Sequence, residues 1–372
     1  MMALGNLNVD TITTSTSGGV LGAGNASIMK NRLINGACVI DQRYAGSAAS
    51  SSYSGYVIDR WSVAQVGTTG KIIAQQNAGS VTPPIGFTNY LGITSQSSYT
   101  VGTNEFYSIV QTIEGYNIAD LGWGTANAKT ITVSFWVQSS LTGTFGGCLN
   151  NGGSRSYPFT YTISSANTWE QKSVTIAGDT SGTWGTTTGI GVQIWFNLGC
   201  GSTYSGTAGA WASANKVAPT GAVSVVGTSG ATFYLTGVQF EIGSSATGFE
   251  YRIYGTELAN CQRYYWKKAG QYPSANTTVG AGMLYSANDA RACLANPVPM
   301  RIAPAITFSG SGFGFERPNT FLGTIGSPAA ANYSPEASLI YSGSGTSSGT
   351  AGDATFWYIT DNTSYIAVNS EL

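Results

Sequence analysis

Two short runs alternate so regularly that they constrain the fold more than any other feature of the chain. Across residues 130–137, Ile131, Val133, Phe135 and Val137 alternate with Thr130, Thr132, Ser134 and Trp136. Across residues 190–198, Ile190, Val192, Ile194, Phe196 and Leu198 alternate with Gly191, Gln193, Trp195 and Asn197. A two-residue period places each apolar set on one face of a strand. Such a face has to be covered by a second apolar layer, so a β sandwich is expected. The two runs are expected to share a layer, each turning a tryptophan away from the core. Upstream, Tyr107, Ile109, Gln111 and Ile113 alternate more weakly. The connection EGYNIADLGWGTANAK is long, with a helical turn expected at 117–121. A strand, a long crossing loop and a partner strand suit a jelly roll or Greek key better than a meander.

The rest of the chain fills in this plan. Residues 37–42 and 56–61 read as strands after the Asn35-Gly36 turn. Residues 71–76 and 89–94 read as strands flanking the proline turn VTPPIGF. Tyr157, Phe159, Tyr161 and Ile163 form another core face, with residues 169–176 as the expected partner strand. Residues 203–222 are rich in small side chains and read as a long loop. Residues 231–242 close the domain, with a bulge expected at Gly237. In GTELANCQRYYWKK, Thr256 can cap a short helix that hands the chain to a last β unit. In that unit 280–286, 306–309, 338–342 and 354–360 are strand candidates.

The expected fold is all-β: a jelly-roll sandwich, a smaller C-terminal β domain and an extended N-terminal arm. The divisions are 1–28 for the arm, 29–254 for the jelly roll, 255–268 for a connector and 269–372 for the tip. The arm is too short and polar to fold alone. The alternatives are a flexible tail and an extended arm that orders only against a partner or against copies of itself, and Val9, Ile12, Val20 and Leu21, which need cover, favour the arm.

Composition narrows the function. Aromatic residues make up 12% of the 372, which argues against disorder, while charged residues are only 9%. With 16 Lys and Arg, 17 Asp and Glu and no basic tract, phosphate-neutralising contact with nucleic acid is not expected. No apolar run approaches the length of a membrane span, so membrane insertion is not expected. The start, MMALGNLNVDTITTS, lacks the pattern of a secretory signal. An extracellular-looking composition without that signal suggests release by particle assembly and lysis.

Histidine is absent, which removes the commonest general base, nucleophile partner and metal ligand. The five cysteines, Cys38, Cys148, Cys200, Cys261 and Cys293, show no CxxC spacing. They read as small buried residues, with a Cys148–Cys200 bridge left open.

The phrases KNRLINGACVIDQR, GYVIDRW, QNAGSVTPPIGFTNYLGITS, IEGYNIADLGWGTANAKTITVSFWVQSSLTGTFGG, RSYPFTYTISSANTWEQKSVTIAGDTSGTW and FYLTGVQFEIGSSATGFEYRIYGTELANCQRYY, in that order, resemble a family of bacteriophage tail-fibre and minor structural proteins. The central part resembles the jelly-roll carbohydrate-binding-module fold. The resemblance covers residues 29–268. It implies a non-enzymatic virion protein of the phage tail, present in the host cytoplasm during assembly. It also implies a homotrimer that engages other virion proteins through the arm and recognises a host-surface glycan.

Many modules of that fold hold a structural calcium with an acidic residue after the opening Asn-Gly turn. Here the turn continues as Ala37-Cys38, with Asp41, Asp59, Glu241 and Glu250 as the remaining carboxylates. No metal and no cofactor is expected.

Sugar recognition needs aromatic faces for C–H surfaces, with amides and carboxylates for hydroxyls. By strand parity Trp136, Gln193, Trp195 and Asn197 are expected on one face, joined by Tyr234. That face could instead pack on a neighbouring subunit or under the 203–222 loop. A second set lies in the tip: Tyr272, Tyr285, Trp357 and Tyr365. Glu105, Glu114, Asp120, Glu170 and Asp179 are the carboxylates open to a glycosidase pair, although nothing in the sequence brings two together. The alternatives to an adhesin are a structural virion component without receptor binding and a polysaccharide depolymerase.

Overall fold

The computed structural model describes residues 30–49, 55–270, 277–287, 289–317, 320–325, 328–342 and 350–372. The expected arm, 1–28, and Tyr272 lie outside the described residues.

The chain is all-β, a jelly-roll sandwich followed by a smaller β domain. In the sandwich, strands β1 (Gly55–Ile58), β2 (Trp61–Val66), β3 (Ile72–Gln76), β4 (Leu91–Ser95), β5 (Phe106–Glu114) and β6 (Ile131–Ser139) come first. They are followed by β7 (Gly143–Asn150), β8 (Ser156–Ile163), β9 (Glu170–Ile176), β10 (Ile190–Cys200), β11 (Ser205–Gly206), β12 (Ala218–Pro219) and β13 (Thr232–Ile242). One sheet runs β1-β2-β5-β10-β7-β8 and the facing sheet β3-β4-β13-β6-β9. The apolar set of β6 (Ile131, Val133, Phe135, Val137) meets the set of β10 (Val192, Ile194, Phe196, Leu198) in one buried core. Phe135 and Phe196 touch edge to face at 5.0 Å. Emptying one such aromatic position costs about 3–5 kcal/mol.

This pairing corrects the expectation that β6 and β10 share a layer. They lie in opposite sheets and meet across the core, so strand parity fixes inward and outward without saying which outside. Strand β9 likewise pairs with β6 and β8 with β7, so 164–169 crosses between sheets instead of turning a hairpin. The connection from β5 to β6 also crosses, through short 3-10 turns at Gly115–Asn117 and Ala119–Leu121. Trp123, brought in by that crossing, packs against Trp184 at 4.7 Å and Trp211 at 5.4 Å.

Two further expectations are corrected. Residues 37–42 form no strand: irregular backbone at 38–41 links a turn at 36–37 to one at 42–46. Asn35 and Cys38 hold positive φ, and the Asn35 side chain bonds the backbone of Ile40 and Asp59 instead of leaving it to a ladder. The expected strand 56–61 is the hairpin of β1 and β2, which turns at Asp59-Arg60 with Arg60 at φ 67°.

Helix α1 (Tyr254–Gln262) follows the sandwich. The residue at its N-cap is Ile253, so Thr256 lies inside the first turn and caps nothing. The tip domain then comprises β14 (Tyr265–Ala269), β15 (Thr277–Ser286), β16 (Asp289–Ala295), β17 (Ala305–Ser309), β18 (Phe313–Arg317), β19 (Thr320–Thr324), β20 (Ala329–Ala331), β21 (Ala337–Tyr341), β22 (Ala354–Ile359) and β23 (Tyr365–Asn369). Its sheets run β14-β23-β17 and β19-β18-β22-β15-β16-β21-β20 around a second core that includes Trp266, Phe313, Phe315 and Trp357.

Buried charge joins the two domains. Glu371, beyond the last strand, pairs with Arg43 at 3.0 Å and with the fully buried Arg60. The Arg60 guanidinium sits 3.6 Å over the Tyr264 ring. Glu114 of β5 accepts two bonds from Arg263 and one from the Tyr264 hydroxyl. Tyr56 Oη donates to the Leu372 carbonyl at 2.9 Å.

Candidate functional site

The outer face of the six-stranded sheet carries Gln193, Trp195 and Asn197, and it is roofed. Trp195 is only 9% exposed and packs with Phe106, Val110, Cys148 and Val217. The roof is the 203–222 loop, fixed by the short parallel pair β11–β12 and by bonds from Val217 N to the Tyr204 carbonyl and from Lys216 Nζ to the Thr203 carbonyl. Tyr204 meets Phe106 at 5.0 Å. The amides are already engaged: Gln193 Nε2 donates to Thr112 Oγ1, and Asn197 accepts from Gly199 N and donates to the Val223 carbonyl. Trp195 Nε1 is buried without a partner among the described residues, at a cost of about 1–3 kcal/mol. The alternative of packing under the loop holds for Trp195.

Trp136 and Tyr234 lie elsewhere, on the outer face of the five-stranded sheet, where Trp136 pairs across the ladder with Thr236 and Gln171. The expected single face of Trp136, Gln193, Trp195 and Asn197 is therefore divided between opposite sides of the sandwich. Tyr234 is buried beside Tyr90 at 5.1 Å and Trp169 at 6.5 Å, so its ring offers little surface. Trp136 is half-buried, the one residue of β6 that is not fully buried. At the bulge Gly237 takes φ 59°, and a Cβ there would stand 2.6 Å from Phe87 and 3.1 Å from Trp136. Glycine at the bulge thus lets the two rings flank one spot. Phe87 continues into Phe249 at 5.1 Å and Tyr251 at 5.6 Å, the latter 60% exposed.

A groove of about 380 Å³ is lined by Gln171, Lys172, Ser173, Ala246, Thr247 and Gly248. Trp136 does not line it and neighbours it through Gln171, its partner across the ladder. Thr247 is held by Glu241, which accepts from its backbone N at 2.9 Å and its hydroxyl at 2.6 Å. Lys172 is neutralised by Glu170 at 2.5 Å. The arrangement offers one half-exposed indole and an aromatic flank next to a groove of amide and hydroxyl groups whose charged lining residue, Lys172, is ion-paired. Such a surface can stack a ring's C–H face and bond its hydroxyls. The alternation of β9 already put Gln171 and Ser173 opposite Lys172, Val174 and Ile176. Phe87, Thr247 and Tyr251 sit in loops and carry no periodic signal.

In the tip, Trp357 is fully buried in the core, which removes it as a surface candidate. Tyr285 is exposed with the Arg291 guanidinium 3.6 Å over its ring. Tyr365 belongs to the other sheet, where Lys267 Nζ lies 4.3 Å from its ring centre. The carboxylates open to a glycosidase pair are each engaged: Glu114 with Arg263, Asp120 with Arg32, Glu170 with Lys172, Asp179 with Arg155, and Glu105 with the Tyr99 hydroxyl and Gly102 N. The bonds from Gly102 N and Tyr99 hold Glu105 below the usual carboxylate range.

Asp41 accepts from Tyr44 N and Gly46 N, Asp59 from Gln42, and Glu250 from Asn31 N. Among the described residues no three His, Cys, Asp or Glu side chains gather as metal ligands. The five thiols are free, including Cys148 and Cys200, and burial pushes Cys200 up to about 12. No helix among the described residues is long and apolar enough to cross a membrane.

No protein-family model matches the chain, and no curated protein sequence matches it. Among solved structures, the enzymatically active domain of tailspike protein 4 of bacteriophage CBA120 is 14% identical at a TM-score of 0.31, over 57% of this chain and 22% of that one. A family 11 carbohydrate-binding module from Clostridium thermocellum, in complex with a mixed-linked tetrasaccharide, is 9% identical at 0.26, over 51% and 91%. The module TmCBM61, in complex with β-1,4-galactotriose, is 9% identical at 0.28, over 58% and 99%. The fold described above rests on this chain's own strands and their pairing.

Proposed function

We propose that this chain is a glycan-binding adhesion protein of a bacteriophage particle, of the tail-fibre type. It would act as a homotrimer attached to other virion proteins through its N-terminal segment, and be found in the host cytoplasm during assembly. The observation that carries the reading is the half-exposed Trp136 next to Gln171, which with Ser173, Thr247 and the ion-paired Lys172 lines a groove on the same side of the sandwich. Each site would bind weakly, and several copies per particle would raise avidity.

The test is binding of the purified chain to host cells and to their extracted surface polysaccharide, with Trp136→Ala and Trp195→Ala in parallel. Trp136→Ala is expected to lower binding at least about tenfold, the scale of one lost aromatic anchor. Trp195→Ala is expected to lower stability and leave the affinity of the folded fraction unchanged. Equal binding by Trp136→Ala and the parent would move the site off this face.

A second reading, a structural virion component without receptor binding, is favoured by the exposed Ile85, Ile253 and Tyr254. Solvent-facing apolar side chains of this size suit a protein neighbour. It predicts binding to virion parts and to no glycan.

A further inference from the structure

A second cavity, of about 450 Å³, opens where the sandwich, α1 and the start of the tip domain meet. Its volume lies within the roughly 300–1,000 Å³ of small-ligand pockets. Asn117 comes from the β5–β6 crossing, Thr256 and Asn260 from α1, and Arg32, Arg252 and Arg263 complete the polar wall. It is separate from the Trp136 groove, with which it shares no lining residue.

Its chemistry divides into engaged and unengaged groups. The three guanidinium groups are met by four carboxylates. Asp120 lies 2.8 Å from Arg32, Glu250 and Glu257 lie 3.2 and 3.1 Å from Arg252, and Glu114 lies 2.7 Å from Arg263. The wall therefore holds no net positive charge and gives an anion no Coulombic gain. Yet donors and acceptors are left over. Among the described residues the buried Arg32 Nε has no partner, and Arg263, which commits Nε and Nη2 to Glu114, makes no hydrogen bond through Nη1. The side chains of Asn117, Thr256 and Asn260 bond no other described residue. Tyr116, next to Asn117, and Tyr254, two residues before Thr256, are both about 60% exposed.

Unspent amides, a hydroxyl and guanidinium N–H groups, with exposed tyrosines next to them in the chain, suit a ligand with many hydroxyls and no charge. We infer that this cavity binds a single uncharged pyranose unit of a glycan, at a site distinct from the Trp136 groove. The inference shares its ligand class with the adhesion reading and deepens it. The ion pairs hold the guanidinium groups in place, and the side chains that meet the sugar are Asn117, Thr256 and Asn260.

The experiment is NMR titration of the full chain with glucose, galactose, mannose, rhamnose and N-acetylglucosamine, and with glucuronate. The parent is compared with Asn260→Ala, Thr256→Ala and Trp136→Ala. At least one neutral sugar is expected to shift the Asn260 side-chain amide. Asn260→Ala and Thr256→Ala are each expected to weaken that sugar about fivefold, the scale of one net hydrogen bond, with unfolding midpoints unchanged. Trp136→Ala is expected to leave this binding as it was, and glucuronate to bind no better than glucose. Salt-sensitive preference for glucuronate would overturn the inference, as would an Asn260 amide that no sugar moves or unchanged affinity in both α1 variants. Polysaccharide binding that survives in the α1 variants and is lost in Trp136→Ala, with no sugar moving the Asn260 amide, would sink this inference alone. Loss of all glycan binding by the parent would sink the adhesion reading with it.

Discussion

Single residues set what the surface around Trp136 can do, and Gly237 is tightly constrained. Its positive φ and the nearness of Phe87 and Trp136 leave no room for a side chain. Gly237→Ala is expected to cost about 1–2 kcal/mol for the left-handed backbone alone. It should also displace Trp136, so that glycan affinity falls along with the denaturation midpoint. Unchanged affinity in a destabilised variant would separate the bulge from the site.

Asp59 has a different role. Burial pushes its carboxyl up to about 7, against opposing bonds from Gln42 N and Nε2 and the nearby Arg43, while Glu371 adds to the rise. A group with a raised folded value binds more protons folded than unfolded. Its stabilisation is complete below the ordinary value of 3.8 and is lost as pH climbs through 7. Denaturant titrations from pH 4 to 8 are expected to show stability falling across this window, and Asp59→Asn to flatten that part of the slope. An identical slope in parent and variant would contradict the assignment.

At the scale of elements, the alternation in β5, β6, β8, β9, β10 and β13 made strands, inward faces and the bulge legible, because period two is a property of the strand itself. Sheet membership was not legible. Trp136 and Trp195 carry the same local pattern, and only long-range pairing puts one in each sheet. Loop packing was half legible. Small residues marked 203–222 as a loop, but its closure over Trp195 depends on contacts such as Val217 with Cys148. The strand expected at 37–42 failed because Asn35 satisfies backbone groups there that a ladder would otherwise take.

Helix α1 shows the same limit. Its existence followed from composition, while Thr256 turned out to face a cavity instead of capping the helix. Shortening the 203–222 loop to a tight turn is expected to expose Trp195. Because the same change removes Trp211 from beside Trp123 and Trp184, the readout is the ¹⁵N-indole resonance of Trp195, which should move, and an unmoved resonance would show that the loop is not its cover.

At the scale of the whole molecule, buried ion pairs join two cores that each have their own sheets. Glu371→Ala would leave Arg60 buried with its main carboxylate gone, a change that costs about 3–5 kcal/mol in comparable sites. Calorimetry of the parent is expected to show both domains melting in one transition. The variant is expected to show two, as the tip separates from the sandwich. Two transitions in the parent would mean that the junction does not couple them.

The most direct test of the central claim, adhesion through the surface around Trp136, is NMR with ¹⁵N-indole-labelled tryptophan during titration with the host surface polysaccharide. The account predicts that the Trp136 indole resonance moves and saturates with ligand while that of Trp195 stays fixed under its loop. A fixed Trp136 resonance at saturating polysaccharide, or a moving Trp195 resonance, would contradict it.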